Sequence, residues 1–141
     1  MAESREEFRE RLAALADLVT PTRVERAIRE SLRAVKGGVE EGRRGDFAAL
    51  LPSWLRDDWE ELAIEKSPLG PLDLVEAMAA SGGYPYRAAA ERDLTAFLAA
   101  LRESVAAEDA AAMRPLLPEA GREMFDHAAS CAYDASVREF L

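Results

Sequence analysis

Apolar residues recur along this chain at helical spacing, and no stretch alternates in the two-residue rhythm of a strand. Phe8, Leu12 and Leu15 predict a first helix over about Ser4 to Ala16, opened by a capping box of Ser4 and Glu7. Thr22 and Glu25 form a second box, and Pro21 suits a helix start because its missing N–H is an orphan there anyway. The helix behind it puts Val24, Ile28, Ser31, Leu32 and Val35 on one face and Arg23, Arg26, Arg29, Arg33 and Lys36 on the other. Gly37-Gly38 is expected to stop it through a left-handed C-cap, and Gly82-Gly83 to stop another helix over roughly Leu72 to Ser81 in the same way. Leu94, Phe97, Leu98, Leu101 and Val105 mark a second long amphipathic helix. Shorter helices follow each long one. Asp46 is the expected N-cap of the first. In the second, a start at Asp109 would put Pro115 in the helix interior at a cost of about 3 kcal/mol, so the sequence favours a later start with Pro115 in the first turn. Leu-Leu-Pro then forces a turn, and a further helix carries Trp54 and Trp59.

The pattern repeats without a gap. Residues 8 to 59 align onto 74 to 125 at a constant offset of 66, with identities that include Glu25/Glu91, Arg26/Arg92, Leu32/Leu98, Val39/Val105, Leu50/Leu116, Leu51/Leu117, Pro52/Pro118 and Arg56/Arg122. Phe8/Leu74, Leu12/Met78, Ile28/Leu94, Phe47/Met113 and Trp59/Phe125 are conservative pairs. Apolar positions stay in register while surface positions drift, as expected of two copies of one buried face. The expectation is an all-α fold of seven or eight helices in a single domain spanning 1–141. Repeat one covers about 4–65, repeat two about 72–141, and the linker runs over 66–71. The two pseudo-symmetric repeats are expected to pack along ridges made by Leu50/Leu51 and Leu116/Leu117.

Each Leu-Leu-Pro site follows an aliphatic helix and an Asp/Ala-rich turn and precedes Arg56 or Arg122 and an aromatic. With the Leu74-to-Gly83 segment feeding Arg87 to Leu101, these sites resemble the bacterial and archaeal all-helical family catalogued as domain of unknown function 2267. The resemblance runs from Phe8 to Phe125. It implies a duplicated helical fold and a cytoplasmic microbial protein, and it carries no activity, ligand or catalytic residue.

Composition narrows the function classes. The net charge of −9 repels phosphate backbones and anionic lipid, so neither nucleic acid nor membrane is an expected partner. No segment approaches the roughly 20 apolar residues of a membrane span, and the amino terminus lacks a secretory apolar stretch, which predicts a soluble, cytoplasmic protein. A single cysteine excludes an intramolecular disulfide and a multi-cysteine metal site.

Candidate chemistry is sparse. His127 and Cys131, the only residues of their kinds, lie four apart and would share one helix face, but two ligands alone make a weak metal site and the face reads as solvated. Arg26, Arg29 and Arg33 form the best basic stripe, with Glu25 and Glu30 interleaved as expected i, i+4 partners of Arg29 and Arg26. Trp54 aligns with Ala120, so the unit itself does not need a ring there; it either fills the seam between repeats or anchors a partner. No phosphate-cradling glycine loop, nucleophile elbow or zinc motif occurs, so neither a cofactor nor catalysis is expected. The sequence therefore points to a non-catalytic protein-interaction or regulatory module, with self-association among the interactions open to it. The alternative is a small-ligand or metal-binding protein that uses the inter-repeat groove or the His127/Cys131 face.

Overall fold

The computed structural model describes residues 4–16, 20–63, 74–119 and 121–126, which form helices and turns without a strand. Helix α1 spans Arg5–Ala16, α2 Pro21–Gly38, α3 Arg44–Leu50, α4 Ser53–Glu61, α5 Leu74–Gly82, α6 Arg87–Ser104 and α7 Ala107–Met113. A 3₁₀ turn, Glu41–Arg43, leads into α3, another, Arg114–Leu116, follows α7, and residues 119 and 121–126 are again helical. The His127/Cys131 face lies outside the described residues.

The long helix α6 is the centre of the molecule. It packs against α1, α2 and α5, while α2 also packs against α5, α1 and α4, and α3 lies on α7. Phe8 and Leu12 of α1, Ile28 and Leu32 of α2, Met78 of α5 and Leu94, Phe97, Leu98 and Leu101 of α6 form the fully buried core. The rings of Phe8 and Phe97 meet edge to face with centroids 5.8 Å apart. A contiguous core of this kind supplies the main driving force for folding, at roughly 25 cal/mol per Å² of apolar surface removed from water.

Several local expectations are corrected. At α1 half of the box forms: the Glu7 amide donates to Ser4 Oγ at 3.2 Å, while the Glu7 carboxylate accepts from the Ser4 hydroxyl at 3.1 Å and not from the Ser4 backbone N–H. At α2 the cap is Thr20, two residues before the expected Thr22; its Oγ1 accepts from the Arg23 amide, and Pro21 takes the first helical position. Asp46 lies inside the first turn of α3 and is not its cap.

Glycines 37 and 38 do not stop α2 by a left-handed turn, since the helix runs through Gly38 and Gly83 is the glycine with positive φ among the described residues, at 66°. Gly38 is there for space: a Cβ would stand 2.6 Å from Leu74 Cδ2 and 3.1 Å from Pro118 Cγ. Gly83 does take the left-handed conformation that ends α5 and turns the chain toward α6.

The helix that contains Asp109 begins early, at Ala107, and not late as the proline argument required. The chain avoids the cost by tightening. The α-helix stops at Met113, and Pro115 sits in the first turn of the 3₁₀ segment, where no N–H is demanded of it.

The Leu-Leu-Pro ridges are half right. Leu51 and Leu117 are buried, whereas Leu50 and Leu116 are only partly so. Leu51 and Leu117 have extended backbone at ψ 150° and 148°, so consecutive leucines point in different directions and only one of each pair reaches the core.

Candidate functional site

Beyond Gly83 the sequence Tyr84-Pro85-Tyr86 crosses from the end of α5 to the start of α6 and lays two aromatic rings beside the N-terminal half of α2. Together these segments enclose a small cleft of about 110 Å³, lined by Arg23 and Arg26 of α2, by Tyr84 and Tyr86, and by Arg92 and Asp93 of α6. Tyr86 is 64% exposed at its rim and is the one large apolar side chain so exposed among the described residues.

The charges in the cleft differ in how far they are committed. Asp93 is buried, at 4% exposure, and its carboxylate accepts from the Tyr84 hydroxyl at 2.9 Å and from Arg92 Nε at 3.2 Å. Burial, reinforced by that hydrogen bond and by the Asp93 charge, raises the Tyr84 phenol well above its ordinary 10.0, so it stays protonated at neutral pH. The Arg26 guanidinium lies 4.7 Å from the centre of the Tyr84 ring and donates through Nη2 to the Gly82 carbonyl. Arg26 is thereby fixed as a wall of the cleft, with cation–π attraction and one charge-assisted hydrogen bond holding it. The Arg23 guanidinium makes no hydrogen bond or ion pair with any described residue. Three guanidiniums against one carboxylate leave the cleft cationic on a chain whose net charge is −9.

The sequence candidates separate into three places. Arg26 belongs to the cleft. Arg29 and Arg33 instead flank Glu30, a residue of α2 only 3% exposed, with Arg29 Nε at 3.4 Å and Arg33 Nη1 at 3.3 Å from its carboxylate. Glu25 is not the partner expected for Arg29. It turns to α1, pairing with Arg5 at 3.2 Å and with Arg9, and Arg5 reaches Asp58 of α4 at 3.4 Å. That cluster ties three helices together. Burial raises the Asp58 carboxyl above its usual range against the lowering by Arg5.

Trp54 is half-buried and stands apart from the cleft. Its ring meets Phe8 edge to face at 5.2 Å, and the Arg5 guanidinium lies 5.7 Å from its centre. It extends the aromatic chain that starts at Phe97 and passes through Phe8, from the core to the surface.

Sequence reasoning missed Tyr84, Tyr86 and Asp93. A signal was present: two tyrosines flank a proline at a helix start, and a carboxylate occupies a register in α6 where α2 has Ala27. No three His, Cys, Asp or Glu side chains gather as a metal-ligand set among the described residues. No helix among them is long and apolar enough to cross a membrane. Comparison with known protein families, curated proteins and solved structures finds no match for this chain.

Proposed function

We propose that the chain is a non-catalytic interaction module, built from two copies of one helical unit, that engages a protein partner at the cationic cleft between α2 and α6. The observation that carries the reading is Tyr86, exposed at the rim of a cleft in which the Arg23 side chain has no partner among the described residues. Exposed tyrosine beside arginine is the composition of a binding hot spot. The volume favours a single group projecting from a larger partner, since pockets for whole small ligands run to roughly 300–1,000 Å³. A non-catalytic role is supported by the cleft's own groups. The Tyr84 proton is held tightly, Asp93 already accepts two hydrogen bonds, and arginine does not give up its proton.

The duplication is supported by contacts that recur at the same offset of 66. Lys36 Nζ donates to the Trp59 carbonyl at 2.5 Å and lies 5.6 Å from its ring centre; Arg102 Nη1 donates to the Phe125 carbonyl at 3.2 Å and lies 5.2 Å from that ring. Arg56 Nη2 donates to the Leu51 carbonyl at 3.1 Å and Arg122 Nε to the Leu117 carbonyl at 2.9 Å. Both α2 and α6 have 18 residues, and they begin and end 66 apart. Helix α1 packs on α6 as α5 packs on α2, the reciprocal pattern of a two-fold arrangement. The resemblance of the Leu-Leu-Pro segments to the domain of unknown function 2267 family belongs to the same reading, as does a cytoplasmic location, which a fold with one cysteine and no intramolecular disulfide suits.

The test is quantitative affinity capture from the native cell with the wild-type chain, Tyr86→Ala and Arg23→Gln as baits. A protein retained by the wild type and lost by both variants supports the reading. Retention unchanged by either variant overturns it. Capture of the chain's own copies, lost in both variants, would make the partner a second molecule of this protein.

A further inference from the structure

We propose that the group the cleft takes is a phosphoryl dianion carried on a side chain of a protein partner. This rests on the reading of the cleft as the interaction site, and it names the chemistry of the partner. The first argument is charge. Arg23, Arg26 and Arg92 against Asp93 leave a net local charge of +2, and a phosphomonoester carries about −1.5 to −2 near pH 7, whereas a carboxylate carries one charge. The second is donor supply. A guanidinium has five N–H groups, and the hydrogen bonds among the described residues use one nitrogen of Arg26, one of Arg92 and none of Arg23. Three terminal oxygens of a phosphoryl group match such a surplus of forked donors.

Size gives the third argument. At about 110 Å³ the cleft is well below the roughly 300–1,000 Å³ of pockets that enclose a whole small ligand, which suits a single phosphoryl group better than a nucleotide. The exposed Tyr86 ring at the rim then packs against the residue that carries the phosphate. A nucleic acid fits less well, because its affinity comes from a track of phosphates, and outside the cleft a chain of net charge −9 repels such a track. The buried Asp93 carboxylate does not oppose the dianion directly, since Tyr84 and Arg92 already occupy its two oxygens.

The experiment is an NMR titration of the intact chain with phenyl phosphate, benzoate, inorganic phosphate, a phosphoserine peptide and a single-stranded oligonucleotide. Phenyl phosphate and the phosphopeptide should shift the signals of residues 23, 26, 84–86 and 92, and both should bind more tightly than benzoate or inorganic phosphate. Affinity for phenyl phosphate should rise several-fold as pH passes about 6, where the second proton leaves the ester. Arg23→Gln should weaken binding about tenfold, the equivalent of one charge-assisted hydrogen bond. Arg29→Gln, on the same helix but outside the cleft, should leave it unchanged. Because Arg23 is exposed and its side chain makes no hydrogen bond to any described residue, the Arg23→Gln chain should keep its fold.

No shift with phenyl phosphate up to about 20 mM, equal binding of benzoate, or binding indifferent to Arg23→Gln overturns the proposal. Tighter binding of free phosphate than of the peptide, or of the oligonucleotide than of either, also overturns it. If phosphoryl binding fails while capture still depends on Tyr86 and Arg23, the interaction module stands and only its phosphoryl ligand falls.

Discussion

Helices α2 and α6 have the same length and equivalent registers, yet they live in different surroundings. In α6 the six consecutive residues Ala96 to Leu101 are all buried, so this stretch of the helix is enclosed on every side. In α2 the buried residues Val24, Ala27, Ile28, Glu30, Ser31, Leu32, Ala34 and Val35 are interrupted by a polar stripe, of which Arg23 and Arg29 are exposed and Arg26, Arg33 and Lys36 are half-covered. A helix apolar all round belongs inside, and one with a polar stripe belongs at a boundary. The difference lies largely in alanine. Ala96, Ala99 and Ala100 are small enough to let neighbouring helices close over faces that would otherwise carry surface residues. The axle of the fold and its polar edge are thus two helices of one length in different surroundings, and the cleft forms where they meet.

The sharpest contrast should come from Phe97→Ala, which empties the centre of α6 and should cost about 3–5 kcal/mol on chemical denaturation. A cost near that of a surface substitution would show that α6 is not the axle. The helix ends should differ next. Gly38→Val drives new methyls into Leu74 and Pro118 and should cost about 1–3 kcal/mol. At the corresponding end of α6, Ser104→Ala removes one hydrogen bond to the Leu101 carbonyl and should cost about 1 kcal/mol. Equal costs would mean that Leu74 does not press on Gly38.

A pH measurement probes the cleft between the two helices. Folded Tyr84 holds its proton above the ordinary phenol value of 10.0, so its contribution is complete below that pH and is lost as pH climbs toward the higher folded value. Stability should therefore fall with rising alkalinity, and Tyr84→Phe should flatten that fall. An unchanged slope would show that Tyr84 is neither held in a buried site nor tied to Asp93. The smallest effects belong to the open edge. Tyr86→Ala and Arg23→Ala should each change stability by less than about 0.5 kcal/mol, since neither side chain supports the fold. A larger loss from either would make the rim of the cleft part of the core.

The sequence by itself determined the helical class, the spacing of the elements and most of the core. These follow from period and from local chemistry: the Ser4/Glu7 box, the i, i+4 rows of Ile28 and Leu32, and the paired aromatics Trp59 and Phe125 all act within a few residues of chain. Tertiary structure alone decided three things. It placed alanines on every side of α6 in the interior, because a methyl group is indifferent to burial until neighbours close over it. It gave Gly38 its purpose, because Leu74 comes from a distant helix and leaves no mark on the local pattern. It also divided one arginine stripe into a wall of a cleft at Arg26, two partners for buried Glu30 at Arg29 and Arg33, and a cation without a partner among the described residues at Arg23. Helical periodicity fixes the direction in which each guanidinium points, but what it meets there depends on residues such as Tyr84 and Asp93 that only folding brings within reach.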